Sequence, residues 1–119
     1  PADWRSSLNN NLWQGVNGIN NPCPVGYRLP THLEWLQNFS GPNGITSVGY
    51  SASNSIFKFS FTGFRHYIDG SLNSTGQVSS YWSSSFTNEL IHNRYFANGN
   101  AHQVTNDRAF GLPVRCRKD

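Results

Sequence analysis

Residues Cys23–Phe39 read CPVGYRLPTHLEWLQNF, and the chain closes on Pro113–Asp119, PVRCRKD. Pro30 precedes Thr31, and Glu34 follows three residues after Thr31, which is the pattern of a capping box. Thr31 Oγ then accepts from the Glu34 amide while the Glu34 carboxylate accepts from the Thr31 amide. A carboxylate in the first turn also sits on the positive end of the helix dipole. The spacing predicts a helix over His32–Phe39, with Leu33, Leu36 and Phe39 on one apolar face. Ser40-Gly41-Pro42 predicts its end, because Gly suits the left-handed cap and Pro cannot continue the helix. Cys23 lies just before this helix and Cys116 lies in the last predicted strand. There is no other cysteine, so Cys23 with Cys116 is the one intramolecular pairing; two buried free thiols are the alternative. A bond between them would tie the helix to the terminal strand, closing a loop of roughly 90 residues worth about 4–5 kcal/mol in the chain-entropy account.

The 119 residues suit one domain spanning 1–119. Hydrophobic residues make up 36% and charged residues only 13%, while aromatics reach 14%. The core is therefore expected to be built from Trp, Tyr and Phe, under a surface of Asn, Ser, Gly and Thr. That balance, with two cysteines, suits an oxidising, extracellular or cell-surface setting. No apolar run approaches the ~18 residues of a membrane span, so no membrane insertion is expected. No stretch reads as a signal peptide, so the domain is expected to come from a longer exported protein whose signal lies upstream. The net charge of +3 comes largely from Arg115, Arg117 and Lys118, which read as a solvated strand face. A nucleic-acid footprint needs a broader basic stripe, and no nucleic-acid partner is expected.

Trp4, Leu8, Leu12 and Trp13 are expected to anchor the first 22 residues, with a tight turn at Asn17-Gly18. In Ile56–Thr62, Phe57, Phe59 and Phe61 alternate with Lys58 and Ser60, predicting a half-buried strand broken at Gly63. Phe64–Ile68 continues it, with a turn at Asp69-Gly70. Gln77–Ser85 predicts another strand centred on Tyr81-Trp82. Glu89–Ala97 and Asn100–Thr105 flank Asn98-Gly99, the strongest hairpin signal in the chain. Leu90, His92, Arg94 and Phe96 share one face of its first strand, and Ile91, Asn93, Tyr95 and Ala97 the other. Neither face is cleanly apolar, so one is expected to carry polar groups toward solvent or a ligand. Leu112–Lys118 predicts a final strand, edge-like or bulged at Pro113, with Val114 and Cys116 inward and Arg115 and Arg117 outward. The sum is α+β, one main helix followed by a twisted antiparallel sheet.

Catalytic patterns are lacking. His32, His66, His92 and His102 show no metal-ligand spacing, Glu34 is taken as a cap, and Asp69 belongs to a turn. No nucleophile elbow, phosphate loop or dinucleotide pattern occurs. Ser83-Ser84-Ser85 reads as strand and loop polarity, and the chain is expected not to be an enzyme. Binding fits better: Phe86–Asp107 is densest in Asn, His, Tyr, Thr and Gln, side chains that give adaptable hydrogen bonds and flat aromatic area. The alternative for any one of these residues is a solvated hairpin.

Five segments in order, DWR, NNLWQGVNGINNPCPVGYRLPTHLEW, GFRHYIDGSLNSTG, YWSSS and NDRAFGLPVRCRKD, resemble the Fibrobacter succinogenes major paralogous domain over nearly the whole chain. The resemblance implies a C-type-lectin-like fold, related to formylglycine-generating enzymes and to the variable proteins of diversity-generating retroelements. It implies a Cys23–Cys116 disulfide and a framework of Arg28, Glu34, Trp35, Tyr81, Trp82, Arg108 and Gly111. It also implies a variable ligand face over Phe86–Thr105. The expected ligand-binding residues are Asn88, Glu89, His92, Asn93, Tyr95, Asn100, His102 and Asn106, on a non-enzymatic adhesion module of an exported bacterial surface or fibre protein. Its expected partner is a glycan or a protein on another cell surface. A fibre-tip or oligomerisation module, as a homotrimer, is the alternative. Arg94 departs from the expected apolar residue and Pro113 from a small polar one. The calcium loop of true C-type lectins is missing apart from Thr105-Asn106-Asp107, and the copper-binding cysteine pair is absent; no cofactor is expected, calcium being the one candidate.

Overall fold

The longest strands are three that follow one another in the chain. In the computed structural model, which describes residues 3–38, 59–97 and 100–119, β4 (Val78–Thr87), β5 (Leu90–Ala97) and β6 (Asn100–Asn106) form an antiparallel sheet with β5 central. The side chains of Asn38, Asn100 and His102 lie outside that description. Two short antiparallel pairs accompany the sheet, β1 (Tyr27–Arg28) with β7 (Arg117–Lys118) and β2 (Phe64–Arg65) with β3 (Leu72–Asn73). The single helix among the described residues, α1, spans His32–Asn38. The molecule is thus mostly antiparallel sheet with little helix, and Cys23 and Cys116, 93 residues apart, are joined by its disulfide.

The helix start is as the capping box predicts. The Glu34 amide donates to Thr31 Oγ1 at 3.2 Å and the Thr31 amide to Glu34 Oε2 at 2.8 Å. Arg28 grips the same carboxylate with both terminal nitrogens, at 2.8 and 2.6 Å, and reaches Asp119 at 2.6 Å through Nε. Arg117 Nη1 lies 3.1 Å from Glu34. These ion pairs and the disulfide bring the helix start, β1 and the C-terminus together. The expected apolar helix face is corrected: Leu33 and Leu36 are exposed, and Trp35 is the buried helix residue. Phe39 and the predicted stop at Ser40-Gly41-Pro42 lie outside the described residues.

Trp35, Phe59, Tyr81 and Phe96 form the core on one side of the sheet, their ring centroids 5.1–6.2 Å apart in tilted, edge and stacked pairs. Such pairs add to their area burial. Tyr81 Oη donates to the Ser60 carbonyl and Trp35 Nε1 to the Trp82 carbonyl, so both polar ends are satisfied. Within Ile56–Thr62, residues 56–58 lie outside the described residues. Phe59–Thr62 keeps the alternation, Phe59 buried and Ser60 and Thr62 exposed, without pairing as a strand. The last strand is likewise shorter than expected: only Arg117–Lys118 pairs, Val114 is exposed, and the Pro113 carbonyl instead accepts from the Trp82 amide. Arg115 is exposed, as expected of an outward residue, and its guanidinium also lies 5.6 Å from the Phe59 ring centroid.

At the N-terminus Leu12 is buried, but Trp4 and Leu8 are exposed. The turn near Asn17-Gly18 runs from Gly15 to Gly18, with the positive φ on Gly15. Arg108 holds this segment to the hairpin, donating to the carbonyls of Glu89 and Asn9 and to Asn10 Oδ1. Arg94 keeps the parity of β5: it is buried on the Phe96 side, its guanidinium 5.8 Å from that ring. Burial lowers its pKa.

β4 carries an irregularity between Trp82 and Phe86, where three serines face one residue of β5. Ser83 Oγ donates to the His92 carbonyl at 2.8 Å, the Ser84 amide donates to the Pro30 carbonyl at 2.9 Å, and Ser85 Oγ accepts from the His32 amide at 2.9 Å. The serine run is polar glue between sheet and helix, not a row of free hydroxyls.

Candidate functional site

The register separates the expected ligand-binding residues. Ser80 pairs with Tyr95, Trp82 with Asn93, Asn93 with Val104 and Ile91 with Asn106, so Ser80, Asn93, Tyr95, Val104 and Asn106 share the sheet face opposite the aromatic core. A cleft of about 400 Å³ opens on that face, lined by Phe64, His66, Ser80, Tyr95, Val104, Thr105, Asn106, Phe110 and Leu112. It is in the size range of small-ligand sites, and its mix of aromatic walls and a few polar groups is typical of them.

One wall comes from β2 and the segment before the last strand. The Arg65 amide donates to the Gly111 carbonyl at 2.8 Å and the Gly111 amide to the Arg65 carbonyl at 3.0 Å, pinning the Phe110 segment against β2. A Cβ on Gly111 would lie 2.9 Å from Arg65 Cβ, so this close approach needs glycine. The Phe110 ring meets Phe64, His66 and Tyr67 edge-on, at centroid distances of 5.9, 5.1 and 5.0 Å, and His66 stacks on Tyr67 at 4.8 Å. The wall is preassembled from four rings.

The floor is a short hydrogen-bonded chain. Ser80 Oγ donates to Asn93 Oδ1 at 3.0 Å, and Asn93 Nδ2 donates to Asn106 Oδ1 at 2.7 Å. Asn93 is 0% exposed, with both ends of its amide occupied. It therefore supports the face from beneath, a correction to its expected place among the ligand contacts.

Tyr95 and Asn106 are thus brought together. His92 is not: it lies on the opposite face, its ring 4.6 Å from His32 and its Nε2 2.6 Å from Thr87 Oγ1. Burial, and secondarily His32, lower its pKa, favouring the neutral ring. Asn88 and Glu89 form the exposed two-residue turn between Thr87 and Leu90, away from the cleft lining, with Asn88 at φ 54°. Asn100 and His102 pair with Ala97 and Tyr95 through the backbone; their side chains and the Asn98-Gly99 turn lie outside the described residues.

Sequence reading missed Phe64, His66 and Phe110. Their signal was aromatic residues beside turn chemistry, in GFRHYIDG and NDRAFG, where loops carried by a scaffold present binding side chains.

Among the described residues no three His, Cys, Asp or Glu side chains gather as a metal site. Thr105-Asn106-Asp107 fits calcium poorly, since it supplies one carboxylate and Asn106 Oδ1 already accepts from Asn93, whereas calcium takes six to eight oxygens. Also among the described residues, no helix is long and apolar enough to cross a membrane.

Searches against family models, curated proteins and solved structures find no match for this chain.

Proposed function

We propose that this chain is a non-enzymatic binding module of C-type-lectin-like architecture that captures a glycan or protein on another cell surface through the cleft between Phe110 and Tyr95. The observation that carries the reading is the meeting of Tyr95 and Asn106, both named from sequence, with the ring wall of Phe64, His66 and Phe110. An exported, extracellular setting is supported by the Cys23–Cys116 bond.

The test is binding of the purified domain to a panel of cell surfaces and an immobilised glycan array, beside Tyr95→Ala and Asn106→Ala variants. The expected result is a loss of tenfold or more in apparent affinity, with cooperative melting retained. Binding that survives both changes overturns the cleft as the site.

A further inference from the structure

Resting on that reading, we infer that the cleft takes an uncharged ring with one apolar face and exposed acceptor oxygens, a neutral pyranose unit of a glycan, and takes it without a metal ion. Three features of the cleft carry this.

The first is charge. None of the nine described residues lining the cleft is Asp, Glu, Lys or Arg. The arginines next to the lining in sequence bond elsewhere: Arg65 Nη1 donates to the Gly70 carbonyl, and Arg108 to Glu89, Asn9 and Asn10. A carboxylate or sulfate entering here would lose water and gain no fixed cation, which is strongly unfavourable.

The second is the polarity of Asn106. In the structure Ser80 Oγ donates to Asn93 Oδ1 and Asn93 Nδ2 donates to Asn106 Oδ1, so the Asn106 carbonyl oxygen is the end of that amide turned to the chain. Asn106 Nδ2, with two N–H donors, is then the end left for a ligand. The site asks for acceptors, which sugar hydroxyl and ring oxygens supply. Asn93 is a positioning residue, acting on the ligand only through Asn106.

The third is the ring wall. Phe64, His66, Tyr95 and Phe110 all line the cleft, and the C–H face of a pyranose packs on such π surfaces while its hydroxyls point to the polar side. An acidic sugar held through calcium would need the opposite set, carboxylates and free side-chain carbonyls.

The decisive variant is Asn106→Asp. It keeps an oxygen where Asn93 Nδ2 donates, so folding is retained, but it exchanges the two outward donors for an anionic acceptor. Binding is read by saturation-transfer NMR with methyl glycosides of galactose, glucose and mannose, and with a sialylated and a uronic-acid oligosaccharide, each in EDTA and in calcium. Expected are transfer from at least one neutral glycoside, unchanged by EDTA, and a tenfold or greater weakening in Asn106→Asp with melting as in wild type. Response from the acidic sugars alone, loss of the neutral signal in EDTA, or full binding by Asn106→Asp overturns the inference. If no sugar responds while cell-surface capture is still lost in Tyr95→Ala, the neutral-sugar inference falls and the cleft stands. Capture indifferent to Tyr95→Ala removes the cleft itself.

Discussion

Gly63 stands at φ +72°, and a Cβ built there would lie 2.2 Å from the Asn73 carbonyl oxygen and 2.9 Å from the Thr75 amide nitrogen. Both atoms are backbone, so a side chain at 63 displaces the turn after β3 as well as straining its own backbone. Gly26, at φ +80° with nothing near its Cβ position, isolates the strain alone. Gly63→Ala is expected to lose about 3 kcal/mol or more, and Gly26→Ala about 1 kcal/mol, measured as shifts of the urea midpoint at constant slope. The interruption at Gly63 was legible as a break in the Phe alternation, but its partner was not, because Asn73 comes from the far side of a hairpin. Asn88 shows the converse: an exposed Asn reads as a ligand contact, while its φ of 54° gives it a turn role that its side chain tolerates better than most. Asn93 makes the same point in the interior. An amide in a mixed strand reads as a ligand contact until Ser80 and Asn106 are seen at its two ends.

The helix start is a local element and was fully legible, since Thr31, Glu34 and the backbone between them suffice for the box. What it leans on was not. Arg28 first, through its hydrogen bonds, with further help from the Thr31 amide and the charge of Arg117, brings the Glu34 carboxyl from 4.5 down to about 2. A depressed folded pKa means the unfolded chain binds more protons in that window. The stabilisation is therefore complete above about pH 4.5 and is lost as pH falls toward 2. Melting temperature followed across that window should fall in the wild type, and Glu34→Gln should flatten this part of the profile. At neutral pH the same variant should lose about 1–2 kcal/mol, since the carboxylate is partly solvated. The apolar helix face was misread because the short α1 offers the core one large side chain, Trp35, and leaves Leu33 66% exposed. The sheet was legible because β4, β5 and β6 follow one another in the chain and pair as sequential antiparallel neighbours. The cleft was only half legible: Tyr95 and Asn106 lie in that hairpin, whereas Phe64, His66 and Phe110 arrive through the Arg65–Gly111 bridge, a contact between segments 46 residues apart that no local pattern announces.

At the scale of the molecule, the Cys23–Cys116 bond, the β1–β7 pair and the Arg28–Asp119 contact act as one clasp. Replacing both cysteines with serine is expected to cost about 4–5 kcal/mol in the chain-entropy account, a large share of the ~5–15 kcal/mol that holds a domain folded. The check is thermal melting of the double variant against the oxidised wild type, and a melting point within a degree or two of wild type would mean the short β1–β7 pair closes the ends unaided. The pairing was legible because two cysteines leave one choice, while the brevity of β7 was not, since Pro113 and the Phe59–Arg115 contact turn that stretch away from regular pairing. The clasp also governs how the protein meets peptidases. A single peptide bond severed anywhere between Cys23 and Cys116 sheds nothing, because the two fragments remain one covalent body until a reductant or a second incision arrives.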